Sequence, residues 1–171
     1  MATVVNKMIK IVPMRQAHYP AVSDIYQFGI DSKIATFTTT VPDYTAFNLS
    51  HIKDARWVAM NESDIVGWAA LAPTSTRHVY RGVAEVSIYI HPDFQHQGIG
   101  KLLMNHVITE SEKLGIWTLV AGVISKNVLS VKFHLDCGFR IVGIRERIGW
   151  MDTGEWMDVT WMERRSSKVG I

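Results

Sequence analysis

A carboxylate in the wrong company is the first chemical signal in this chain. Residues 83–90 (VAEVSIYI) alternate as a strand, with Val86, Ile88 and Ile90 on one face and Glu85, Ser87 and Tyr89 on the other. An acid in so apolar a run is expected only where it is paired or faces a cleft. Burial there would raise the Glu85 pKa toward the range useful to a general base. A structural ion pair with Arg77 or Arg81 is the competing reading. The second signal follows directly: Gln95-His96-Gln97-Gly98-Ile99-Gly100, then Lys101 and a segment of helical period. A glycine loop feeding a helix start offers unpaired amides and the positive end of a dipole, which suits a phosphate.

Two other phosphate-binding motifs do not fit. The dinucleotide fingerprint needs a third small residue where Leu103 stands, and the strand some 20 residues on, WTLVAGV, lacks the acid that would hold a ribose. The magnesium-dependent nucleotide loop needs a hydroxyl after Lys101, where the chain has Leu102, and a first glycine where it has Gln95. Taken alone, the loop is also compatible with an ordinary strand-to-helix turn.

The elements that must position these groups can be read in order. Residues 8–14 read as a strand that Pro13 places at an edge or an end. Residues 18–30 carry Tyr19, Val22, Ile25, Tyr26 and Gly29 at helical spacing. The β-branched stretch 34–42 opposes helix. A helix is expected over 43–56, capped by Asp43, then a hairpin of 57–60 and 65–71, and a polar loop at 73–80. The helix after the glycine loop is expected over 98–114, with Ile99, Leu102, Leu103, His106, Val107, Glu110 and Leu114 sharing its inner face. Residues 117–123 form a strand parallel to the Glu85 strand, since a helix crossover joins them. A short helix over 127–136 and a hairpin of 139–148 and 156–163 complete the chain, with Asp152-Thr153-Gly154 near the last turn. The sum is an α/β (α+β) fold, a mixed sheet of about seven strands with helices on both faces, in one domain spanning 1–171 with its core at about 8–165.

Composition narrows the class. At 171 residues and 47% hydrophobic, the chain can bury a substantial core. A net charge of +2 does not argue for nucleic acid, and the basic tail ERRSSK reads as a solvated end. No apolar run is long enough for a membrane span, and the first residues lack a leader layout, so a cytoplasmic location is expected. The single cysteine, Cys137, excludes an internal disulfide within one chain. His91 and His96 flank a proline turn without a second ligand pair at metal spacing, so no metal is expected.

The motif Q-x-x-G-x-G after a strand, joined to N-x-x-S-x-x-x-H-x-x-x-G-F downstream (Asn127, Ser130, His134, Gly138, Phe139), resembles the GNAT superfamily of acetyl-CoA-dependent N-acetyltransferases. Residues 79–90, VYRGVAEVSIYI, are similar to its phosphinothricin, methionine sulfoximine and arsinothricin acetyltransferase branch. The resemblance implies the GNAT fold, acetyl-CoA as cosubstrate, and transfer to the α-amine of a small amino acid analogue in a ternary complex, a detoxification chemistry. It implies Glu85 as the base, and His134 as a group that protonates the departing thiolate or orders water. It assigns backbone contacts with pantetheine to Ile88, Tyr89 and Ile90, and the pyrophosphate to the backbone of His96, Gln97, Gly98, Ile99, Gly100 and Lys101. Asn127 and Ser130 would meet the pantetheine arm, although Asn127 also fits a helix N-cap. The acceptor would meet Ser75, Thr76 and Arg77, together with Glu85, Val86 and Ser87, and the loop 34–42 would line its pocket. A homodimer is implied as well. The chain departs from the branch at Ser75, Met151 and Glu155, where relatives carry basic residues, which puts an anionic acceptor in question. Two alternatives remain open: transfer to another small amine or peptide N-terminus, and a CoA-binding sensor without turnover.

Overall fold

Alternation along the central strands sorts the apolar side chains of this chain onto two faces, and each face is covered by helices. The computed structural model describes residues 8–171; the reading of the first residues as lacking a leader rests mainly on positions outside that range. The elements are β1 (Ile9–Pro13), α1 (Tyr19–Asp31), α2 (Tyr44–Ser50), β2 (Arg56–Asn61), β3 (Asp64–Pro73), β4 (Val83–Ile90), α3 (Ile99–Lys113), β5 (Thr118–Ile124), α4 (Val128–Asp136), β6 (Arg140–Trp150) and β7 (Trp156–Arg165). The strands form one seven-stranded sheet in the order β1-β2-β3-β4-β5-β7-β6. Among the described strands only β4 and β5 run parallel, as the α3 crossover requires. Pro13 lies on edge strand β1, as its missing amide donor demands.

On one face Tyr19, Val22 and Ile25 of α1 and Phe47 of α2 pack on Val58, Trp68 and Ala70. On the other, Ile99, Leu103, Met104 and Val107 of α3 pack on Trp57, Ala59, Ala69 and Leu71. Successive β2 residues thus serve opposite cores, as a period of two dictates.

Three expectations are corrected. The helix expected over 43–56 stops at Ser50. Asp43 caps it as foreseen, accepting from the Ala46 amide at 2.8 Å, but His51 is already extended and Arg56 opens β2. The inner face of α3 is rotated from the one read in the sequence: Met104 and Ser111 are buried, whereas Leu102 and Leu114 remain 46% and 45% exposed. Glu110, which had been placed on that face, is instead paired with Lys113 at 2.7 Å. The 57–60/65–71 hairpin is longer than read, with Glu62 at φ +57° in its two-residue turn.

Candidate functional site

The site is a consequence of two strands parting. β4 and β5 pair only at Val83↔Thr118, Ala84↔Leu119 and Glu85↔Val120. Beyond Glu85, β4 stays bonded to β3 through Ser87, Ile88, Tyr89 and Ile90, while β5 continues against β7 as far as Ile124. The β5-facing edge of β4 is left without a strand partner after Glu85, so its main-chain groups can bond an extended ligand. A cavity of about 1100 Å³ opens in this fork.

Glu85 occupies the last paired position and lines that cavity. It is exposed because the cleft is open at that point. The surrounding walls still deprive the carboxyl of hydration and raise its pKa above the ordinary glutamate value. Neither Arg77 nor Arg81 pairs with it. The Arg77 guanidinium lies 5.4 Å from the Tyr80 ring centre and that of Arg81 5.3 Å from the Trp117 ring centre. Among the described residues Glu85 has no ion pair, so the structural reading of this acid loses its partner.

The phosphate loop is built as its sequence demands. Gly98, the residue before α3, has φ +81°, and a side chain there would meet open space. The Leu102 amide bonds the Gly98 carbonyl, so the amides of Ile99, Gly100 and Lys101 come before the first intrahelical donor and suit an anion. His96 also adopts a left-handed φ of +58°, a conformation held only where surroundings enforce it. His96, Gly98, Gly100 and Lys101 line the cavity. Ile99 points into the core, and the Gln97 side-chain Nε2–H donates to the Asp93 carbonyl at 3.0 Å, so these two residues offer main chain alone. The loop suits a diphosphate: it offers a helix start, a glycine without a side chain, and two lysines, Lys101 and Lys132, on the cavity lining.

His134 and Ser130 line the same cavity from α4. The His134 ring is buried at 4% exposure, edge-on to Phe133 and Phe139. Its Nδ1–H donates to the Ser130 carbonyl at 2.7 Å, leaving Nε2 as the lone-pair nitrogen of the neutral ring. Burial lowers its pKa and keeps it neutral. Asn127 is the N-cap of α4, its Oδ1 accepting from the Ser130 amide at 3.2 Å, and it also lines the cavity. The two roles read for it are therefore compatible.

The remaining wall is the loop 34–38 with Phe28 and Gly29 of α1. Tyr26, Trp68 and Tyr89 stack behind it, with neighbouring rings 4.8–5.4 Å apart. Val86 and Ser87 reach the cavity, but Ser75, Thr76 and Arg77 are not on its lining. The Ser75 Oγ accepts from the Arg77 amide at 3.1 Å in a local turn. Met151 is buried against Phe37, Ile124 and Met157, and Glu155 faces Lys126 at 3.3 Å, so neither substituted position opens into the cavity. Gln95 was passed over as a site residue. Its side-chain amide donates to the Ile90 carbonyl at 3.2 Å and ties the loop to the strand end; its place at the head of the glycine motif was the available signal. Lys132 was missed too, because nothing in its spacing separates it from a solvated helix lysine. Among the described residues no cluster of acids, histidines and cysteine could hold a metal.

With this geometry in hand, residues 22–139 match the acetyltransferase (GNAT) family. The phosphinothricin N-acetyltransferase of Alcaligenes faecalis is 32% identical over 158 residues, which cover 88% of this chain and 79% of that protein. An L-methionine sulfoximine/L-methionine sulfone acetyltransferase of Salmonella typhimurium is 30% identical over 99 residues, spanning 58% of this chain and 57% of that enzyme. A crystal structure of a phosphinothricin acetyltransferase from Sinorhizobium meliloti in complex with acetyl-CoA superposes with a TM-score of 0.85 at 25% identity, covering 95% of this chain and 90% of the other.

Proposed function

The chain belongs to the acetyltransferase (GNAT) family, and we propose that it transfers the acetyl group of acetyl-CoA to the α-amine of a small amino acid analogue of the phosphinothricin, methionine sulfoximine/sulfone or arsinothricin type. The observation that carries this reading is the position of Glu85: a carboxylate of raised pKa without an ion pair among the described residues, at the point where two strands part, on the wall of a cavity of about 1100 Å³. The named relatives support the substrate class.

Acyl transfer to an amine starts with a proton in the way, because such an amine is mostly protonated near neutral pH. Glu85 takes that proton, directly or through water, and the freed nitrogen lone pair attacks the thioester carbon. No covalent enzyme intermediate is needed, so both substrates are bound together. Cys137 is buried and its thiol pKa is pushed up by burial, which suits packing and not nucleophilic attack. The attacking nitrogen sheds its second proton as the amide forms and the C–S bond breaks, and that proton passes through water to the leaving thiolate. His134 has committed its Nδ1–H to the Ser130 carbonyl and is held neutral, so it serves as an acceptor that orders water toward the sulfur. Main-chain groups of Ile88 to Ile90 hold the pantetheine arm, the amides at the head of α3 take the diphosphate, and Lys101 and Lys132 add positive charge.

The functional unit in this proposal is a homodimer. Edge strand β6 exposes Ile141, Val142, Ile144, Ile148 and Trp150, and β7 adds Trp156. An uncovered apolar edge of this extent suits a second copy of the chain.

The test is release of free CoA from acetyl-CoA with a panel of amines, with initial rates taken over both substrates. Intersecting lines and turnover with amino acid analogues support the proposal. Turnover confined to other amines or peptide N-termini would replace the acceptor class, and binding of acetyl-CoA without any turnover would leave a sensor.

A further inference from the structure

The wall formed by residues 34–38 is fastened on two sides, and one fastening depends on a missing side chain. Thr36 and Thr38 face the aromatic stack: the Tyr26 hydroxyl donates to Thr38 Oγ1 at 3.2 Å, and the Thr36 hydroxyl lies beside the Tyr89 phenol. Phe37 faces the opposite way, onto Ile124, Met151 and Met157. Its ring covers Gly149 of β6 so closely that a Cβ there would stand 2.2 Å from the ring. Gly149 is not in the left-handed region and pairs with Met157 across the hairpin. Its backbone would therefore accept another residue, and the room it leaves for Phe37 is the reason for glycine. An ion pair between Lys33 and Asp152 at 2.7 Å ties the root of the same loop to the same hairpin.

We propose that Gly149 is a positioning residue for acceptor selection. Its bare Cα is the seat for Phe37, and seating Phe37 holds the loop at the depth that shapes the acceptor half of the cavity. The inference rests on the N-acetyltransferase reading of that cavity. It concerns the acceptor half, since Phe37 and Gly149 touch none of the cofactor-side groups on β4, α3 and α4. The loop meets those groups at Thr36, beside Tyr89, and at Ile34, whose carbonyl accepts from the Asn127 side-chain amide at 3.4 Å.

The test pairs kinetics with a readout that needs no turnover, tryptic cleavage after Lys33. Gly149→Ala should raise the acceptor KM at least about 5-fold by unseating the ring, leave the acetyl-CoA KM within about 2-fold, and speed cleavage after Lys33. Adding Phe37→Leu to Gly149→Ala should return both the acceptor KM and the cleavage rate toward wild type. Phe37→Ala alone, with Gly149 intact, covers the case in which Gly149→Ala does not fold, and should raise both. Unchanged acceptor KM and unchanged cleavage, equal rises in both KM values, or no recovery in the double variant would overturn the inference. If wild type acetylates no amine in the panel, the functional reading fails on that result, and cleavage after Lys33 still decides whether Gly149 seats the loop.

Discussion

In the proposed mechanism Glu85 is a residue costly to the fold and necessary to the chemistry. Its carboxyl is poorly hydrated and unpaired, so the folded state binds its proton more tightly than the unfolded chain does. Stability linked to this group is therefore fully present below the unfolded glutamate pKa and is lost as pH rises through the raised folded value. Glu85→Gln removes that loss. The variant should melt no lower than wild type at neutral pH, and relatively higher as pH rises, when the two are compared by calorimetry. Its kcat/KM should fall about 100-fold or more, as expected for a lost general base, with partial recovery at alkaline pH where the amine deprotonates unaided. A melting point that drops with the activity would instead assign Glu85 to the fold. The wild-type rate should climb with pH through the raised Glu85 pKa, since the carboxylate is the active form.

At the scale of elements, the strand–loop–helix unit from β4 to α3 has, in the proposed mechanism, two functions separable by substitution. Gly98 sits at φ +81° at the head of α3. A β-branched residue is strained there by roughly 1–2 kcal/mol, and its side chain would project into the space offered to the diphosphate. Gly98→Val should raise the acetyl-CoA KM about 10-fold or more, lower the melting temperature modestly, and leave the acceptor KM near wild type. Steady-state kinetics with each substrate varied in turn separates these effects, and unaltered cofactor affinity would count against the loop as the diphosphate seat. Asn127 shows the same economy at α4, where one side chain both caps a helix and lines the cavity.

The whole molecule adds an exposed edge. β6 has little of its surface covered, and Ile144 is 60% and Trp150 57% exposed, although its partner β7 is well buried at Met157, Val159 and Met162. If this edge meets a second copy, the solution mass should be twice the 19.3 kDa of the chain, and Ile144→Arg should shift it to the monomer by placing a charge in an apolar contact. Light scattering on the eluting peak reads this directly. A monomeric wild type would refute the assembly. The hairpin that carries this edge also touches Phe37 and Lys33, on and beside the loop that lines the cavity.

Much of this architecture was legible in the chain itself. Alternation identified β4 and its two faces, the glycine motif identified the loop and the start of α3, and a crossover helix required β4 and β5 to be parallel, because these features depend on neighbours a few residues apart. Asp43 and Asn127 could likewise be read as caps from local spacing. The early end of the second helix and the rotated face of α3 were not legible, since packing against the sheet, and not local periodicity, decided them. Ser75, Thr76 and Arg77 are close to Glu85 in sequence yet lie off the cavity lining, whereas Phe37 and Gly149, more than a hundred residues apart, share one notch. The sequence by itself determined which residues could accept a proton and bind a phosphate. Only the tertiary structure decided where the strands part and which distant side chains meet there, because long-range packing selects among arrangements that local spacing leaves equal.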